Sequence, residues 1–128
     1  MSMKKILTIV LLFVFSLPVL ASNWVELFEK KYVDMETVEF NPRTQIVTFW
    51  LKALRTDPKD KILDKDYWYT LSHWNISCKD RTTKIENIIV YDLKKNIISS
   101  GYKDYNWEAI IPDTYAEGYY KIFCQPYN

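Results

Sequence analysis

Cys78 and Cys124 are the only two cysteines of the chain, and the residues at its start decide how they are read. Lys4 and Lys5 precede an apolar run from Ile6 to Leu17, broken only by Thr8 and Ser16. Pro18 and the small-residue site Val19-Leu20-Ala21 follow. Charge, apolar run and small-residue site, in that order, predict an export signal cleaved after Ala21. The run is shorter than the roughly 20 apolar residues that span a bilayer, so no stable membrane insertion is expected once the signal is removed. Ser22 rather than a cysteine stands directly after Ala21, so a bacterial lipid anchor is not expected there. An exported domain folds in oxidising surroundings, where two cysteines pair by default. Two free buried thiols are the alternative. A bridge would close a loop of about 47 residues, contributing on the order of 4 kcal/mol in the chain-entropy treatment. That role is structural, because redox catalysis normally needs a C-x-x-C pair with a depressed thiol pKa.

The mature part, residues 22–128, has the length of one domain. Lys4 and Lys5 leave with the signal, so 15 basic residues face 16 acidic ones. So even a balance gives no case for nucleic-acid binding or general attraction to membranes. Five Trp and ten Tyr remain against only two Gly, which is not the composition of a disordered chain.

Strands are expected over 23–28, 31–34, 45–54, 67–79, 83–93 and 97–102. The clearest is 45–54, where Val47, Phe49, Leu51 and Ala53 alternate with Thr48, Trp50 and Lys52 at the period of a strand. Cys78 orients the strand before it. If Cys78 points inward, a regular pleat sends Ile76, Trp74, Ser72, Thr70 and Trp68 inward and Tyr67, Tyr69, Leu71 and His73 to the opposite face. A bulge would reverse that parity. The connections are too short for parallel crossovers, so the sheet should be antiparallel. Thr114 and Glu117 form a capping box for a closing helix. Tyr115, Tyr119, Ile122 and Phe123 would make its apolar stripe, Gly118 would weaken it and Pro126 would end it. The fold class is therefore α+β: a mostly antiparallel sheet of five or six strands with one C-terminal helix on it, stapled by Cys78–Cys124.

An ordered set of short motifs resembles the surface-adhesin protein E-like family of exported bacterial domains. It comprises Trp24-Val25-Glu26-Leu27, Tyr32-Val33-Asp34, Ile46-Val47-Thr48-Phe49-Trp50, Ile76-Ser77-Cys78-Lys79, Trp107-Glu108-Ala109-Ile110 and Ile122-Phe123-Cys124. The resemblance covers nearly all of residues 23–125. It implies a small antiparallel sheet with a helix packed on it, a Cys78–Cys124 bridge, and a place in the periplasm or at the outer face of a Gram-negative cell. It also implies binding to another protein, with host matrix or serum proteins as the candidates. The lipid-attachment cysteine of the best-known member has no counterpart here, and no binding segment carries over residue by residue.

No catalytic constellation stands out. His73 is the one histidine and reads as a strand residue. G-x-S-x-G, P-loop, H-E-x-x-H and C-x-x-C patterns are missing, and no spacing of acids with His73 suggests a metal. No enzyme activity, cofactor or metal is expected. One helix can cover only one face of the sheet. Tyr67, Tyr69, Leu71 and His73 on the other face are candidates for contact with a partner, which could be a second copy of the chain. The mixed-charge segment from Arg55 to Asp66, with Lys59, Lys61 and Lys65, is a second candidate surface. These features also suit a periplasmic inhibitor or immunity protein neutralising an envelope-directed enzyme or toxin.

Overall fold

The computed structural model describes residues 22–102 and 106–125. The export signal expected over 1–21 and the helix stop expected at Pro126 lie outside the described residues. Eight strands and one helix follow in order: β1 (Trp24–Phe28), β2 (Lys31–Asp34), β3 (Glu39–Asn41), β4 (Ile46–Leu54), β5 (Tyr69–Ser77), β6 (Thr82–Tyr91), β7 (Ile97–Tyr102), β8 (Glu108–Ala109) and α1 (Tyr115–Cys124). All pairings are antiparallel. The sheet runs β1-β2-β4-β5-β6-β7, with β3 added on β4 and β8 added on β6. The six expected strands form the main path, and β3 and β8 are short additions to it.

Three long strands make the frame. β4 pairs with β5 over its whole length, from Ile46↔Ser77 to Leu54↔Tyr69. Opposed residues in an antiparallel pair share a face, so Val47, Phe49 and Leu51 line up with Ile76, Trp74 and Ser72. A register shift does occur between Ser72 and Trp74, where two residues of β6, Glu86 and Asn87, oppose the single residue His73. The extra residue therefore belongs to β6, and β5 keeps its pleat through to Cys78. The parity change falls in β6, where Thr83 and Ile85 share the covered face with Ile88 and Val90.

Helix α1 lies on that face. Phe49 is fully buried and sits 5.4 Å from the Tyr119 ring and 4.9 Å from the Phe123 ring, with Trp74 stacked 6.0 Å away. Val33, Val47, Leu51, Ile76 and Ile110 complete the core. The Cys78–Cys124 bridge joins the end of β5 to the last turn of α1 at a Cα separation of 5.4 Å, within the usual range. The helix is rotated from the expected stripe. Tyr119, Phe123 and Cys124 are buried, while Ile122 and Tyr115 are 41% and 51% exposed. The bridge selects this rotation by turning Cys124 toward the sheet.

Thr114 caps the helix, its hydroxyl accepting from the Glu117 amide. Glu117 reaches one residue further back than a standard capping box and accepts from the Asp113 amide. It also pairs with Arg81 at 2.9 Å and Lys121 at 3.4 Å. Gly118 has a packing reason, because a Cβ there would stand 2.4 Å from the Phe28 ring. That ring lies edge-on to both Tyr115 and Tyr119.

Candidate functional site

The face of the sheet turned away from α1 carries no packed element among the described residues. Cross-strand register sets its composition. Along one row, Glu26, Tyr32, Lys52, Leu71 and Ile89 are successive partners across β1, β2, β4, β5 and β6. In the next row Leu54, Tyr69 and Tyr91 are partners, and on the other side Trp50 opposes His73. From Tyr32 to Tyr91 these side chains are all half-buried, so they are packed among themselves and still reach solvent.

Their contacts are aromatic and cationic. Tyr69 stacks on Tyr91 at 4.7 Å and Trp50 lies 5.0 Å from the His73 ring. The Lys52 ammonium lies 5.0 Å from the Trp24 ring centre, 5.4 Å from Tyr69 and 6.0 Å from Tyr32, within the range of cation–π attraction. Burial, with a smaller effect of neighbouring Tyr91, raises the Tyr69 phenol above its ordinary pKa. The Tyr32 phenol is raised chiefly by its hydrogen bond to the Glu26 carboxylate. Both stay neutral hydroxyls at physiological pH.

Tyr69, Leu71 and His73 all stand on this uncovered face. Tyr67 does not continue the row. It precedes β5, lies 5.6 Å from the Arg55 guanidinium, and has its phenol pKa raised first by burial and then by Asp60. Trp68, expected to point inward, lies before the strand begins and is 38% exposed. Its ring packs on Tyr69 at 5.2 Å, under the Lys95 ammonium. Lys59, Lys61 and Lys65 are exposed on a loop with its own order. Ile62 and Lys65 exchange backbone hydrogen bonds, and Arg55 reaches back to Asp66 at 3.3 Å. Trp24, Tyr32, Trp50, Lys52 and Tyr91 were not among the sequence candidates. Alternation placed Trp50 and Lys52 off the core face, but only the register across strands brings the others to them.

His73 Nδ1 lies 3.4 Å from Glu86 Oε2, and Glu86 also faces Lys84 at 3.7 Å. Among the described residues no group of three His, Cys, Asp or Glu side chains could hold a metal. A concavity of about 590 Å³ beside the β3–β4 hairpin has Glu39 as its one titratable lining side chain. None of this assembles a nucleophile, a base and an orienting group.

A family model described as surface-adhesin protein E matches residues 24–125. Solved structures of Haemophilus influenzae protein E share the architecture. One, a second crystal form, superposes with a TM-score of 0.60 at 13% identity, over 84% of this chain and 91% of that one. Another, from a non-typeable strain, gives 0.56 at 15% identity, over 82% and 77%. At such identity the likeness is one of fold. No curated protein matches the chain. Among the described residues no helix is long and apolar enough to cross a membrane.

Proposed function

The chain belongs to the surface-adhesin protein E family, and on that premise we propose that it is an exported, non-enzymatic binding protein that engages another protein through the uncovered face of its sheet. The observation that carries this reading is the row of half-buried aromatic side chains around Tyr69, Leu71 and Lys52 on the side away from α1. Trp and Tyr bury large area and keep a polar group in reach, which is why they dominate binding surfaces. The disulfide and helix hold the opposite face, so the aromatic face is presented on a rigid frame at low entropic cost. Host extracellular matrix and serum proteins are the partners that suit a surface adhesin.

Affinity capture with the disulfide-bonded protein tests this, using host matrix and serum proteins and, in parallel, an envelope extract of the producing cell. The expected result is capture of a host protein that Tyr69→Lys abolishes while the unfolding midpoint stays within a few degrees of the parent. Capture of an envelope enzyme, or capture that Tyr69→Lys leaves intact, overturns the reading. The first outcome would favour an inhibitor.

A further inference from the structure

Lys52 is an unusual residue for the middle of a sheet. Its row partners are Tyr32 and Leu71, and its ammonium lies over three rings, those of Trp24, Tyr69 and Tyr32. Among the described residues no other cation spans more than one ring. Arg55, Arg81 and Lys84 also sit over rings, but each has a carboxylate partner, in Asp66, Glu117 and Glu86, while Lys31 and Lys95 each sit over a single ring, of Tyr115 and Trp68. Lys52 has no carboxylate within 4 Å among the described residues. The nearby carboxylate on its row, Glu26, is engaged by the Tyr32 hydroxyl and the Lys30 amide. The result is a half-buried cation, held in place by π faces and without a carboxylate partner among the described residues.

We propose that Lys52, with Trp24, Tyr32 and Tyr69, forms a binding site for a sugar carrying a single carboxylate, of the kind found at the ends of sialylated glycans. Three features select this chemistry. A single cation held over three rings matches one anionic group, and the near-neutral charge of the mature chain does not suit a polysulfated polymer, which is held by many cations. The half-buried Trp24 and Tyr32 rings offer apolar surface beside the cation to the C–H side of a pyranose, whose weakly positive hydrogens are drawn to aromatic rings, while Tyr69 is already stacked on Tyr91. Finally, Lys52 and Tyr69 lie in the interior of the sheet, where β4 is paired with β2 on one side and β5 on the other, and only Trp24 stands on the edge strand β1. The main-chain groups around Lys52 are already used in the ladder, so an extended peptide lying over it finds no backbone partners. The Tyr69 hydroxyl, neutral at physiological pH, is available to sugar hydroxyls, and the Tyr32 hydroxyl, which donates to Glu26, keeps its oxygen as an acceptor. The site does not depend on the protein-binding reading above, because a free sugar can occupy it in the absence of any protein partner.

The test is titration of the disulfide-bonded protein with 3′-sialyllactose, and separately with lactose, followed by heteronuclear NMR and by indole fluorescence. Shifts confined to the amides around Trp24, Tyr32, Lys52 and Tyr69 are expected. The sialylated sugar should bind at least about tenfold more tightly than lactose, the factor a charge-assisted contact supplies. Lys52→Met should remove that preference, and Lys52→Arg should largely keep it. Tyr69→Ala should weaken both sugars. An unchanged thermal midpoint for Lys52→Met shows that the loss is not unfolding. Absence of shifts at tens of millimolar sugar, equal binding of the two sugars, or full preference in Lys52→Met each overturns the proposal. So does tighter binding of a glutamate-rich hexapeptide at the same residues, which would assign the cation to an acidic protein segment instead.

Discussion

The two faces of the sheet are built from the same strands and nearly the same residue types, yet they do different work. On the covered face Val47, Phe49 and Leu51 alternate at 1%, 0% and 4% exposure and are closed over by Tyr119 and Phe123. On the uncovered face their neighbours Thr48, Trp50 and Lys52 are all half-buried. Aromatic content does not separate the faces, since Phe49 and Trp74 lie on one and Trp50 and Tyr69 on the other. Coverage does. The bridge and helix turn one face into a core, and the same rings left uncovered on the other become a surface. Strand periodicity assigns residues to faces, but the choice between buried core and open surface depends on where the helix is tied.

Cutting that tie should have the largest effect. Reducing Cys78–Cys124, or replacing both residues with serine, should cost about 4 kcal/mol for a 46-residue separation. In a domain of this size that corresponds to a midpoint lower by more than about ten degrees. Thermal unfolding with and without reductant reads this directly, and coincident midpoints would mean that the helix is held by packing alone.

Gly118→Ala comes next. Alanine normally favours a helix, but here its methyl would meet Phe28, whose ring is packed between Tyr115 and Tyr119. Overpacking should outweigh propensity, for a net loss of about 1–3 kcal/mol by chemical denaturation. A gain would show that Phe28 swings aside freely and that β1 contributes little to the covered face.

Tyr119→Phe should act in the opposite direction. Tyr119 is completely buried and its hydroxyl has no hydrogen-bond partner among the described residues. Burial raises its pKa far above the ordinary phenol value, so it remains protonated. Removing an unsatisfied hydroxyl while keeping the ring should stabilise by roughly 1 kcal/mol. A loss of stability would reveal a partner for that hydroxyl.

The smallest effect belongs to Glu117. Its carboxyl pKa is lowered, first by the hydrogen bond from the Asp113 amide and then by Lys121 and Arg81, against a partial opposing effect of burial. A carboxylate with a folded pKa below its unfolded one stabilises above the unfolded value, and that stabilisation is lost as pH falls through the folded value. The midpoint should therefore drop as pH falls through and below the ordinary carboxylate range. In Glu117→Gln this share of the drop should disappear. An identical pH profile in the variant would place the acid sensitivity elsewhere.

Much of this arrangement was legible in the residues. The alternation in β4, the Thr114 cap and, within β5 (Tyr69–Ser77) and on to Cys78, the parity set by Cys78 stand as read, because each is a local rule, while Tyr67 and Trp68 fall before the strand and escape it. Other features need register. β3 and β8, three and two residues long, are too short to show a period. The extra residue in β6, at Glu86-Asn87, is masked by the unbroken apolar run Ile88-Ile89-Val90 that follows it and reads equally well on either face. Turns were hard to place for a related reason. Lys30, Gln45, Arg81 and Lys95 reverse the chain with positive φ at the four short hairpins, positions where glycine would be the usual signal. The environment of Lys52 was invisible, since its three rings come from β1, β2 and β5 and meet it only once the strands are paired.

The most direct measurement compares Leu51→Lys with Leu71→Lys, one on each face of adjacent strands. Thermal midpoint and partner capture are recorded for both. Leu51→Lys should unfold the domain or lower its midpoint by well over ten degrees, because it buries an unpaired charge beneath α1. Leu71→Lys should fold with a midpoint close to that of the parent and lose capture. If Leu71→Lys destabilises as much as Leu51→Lys, or folds normally and still captures its partner, the division between a structural face and a binding face is wrong.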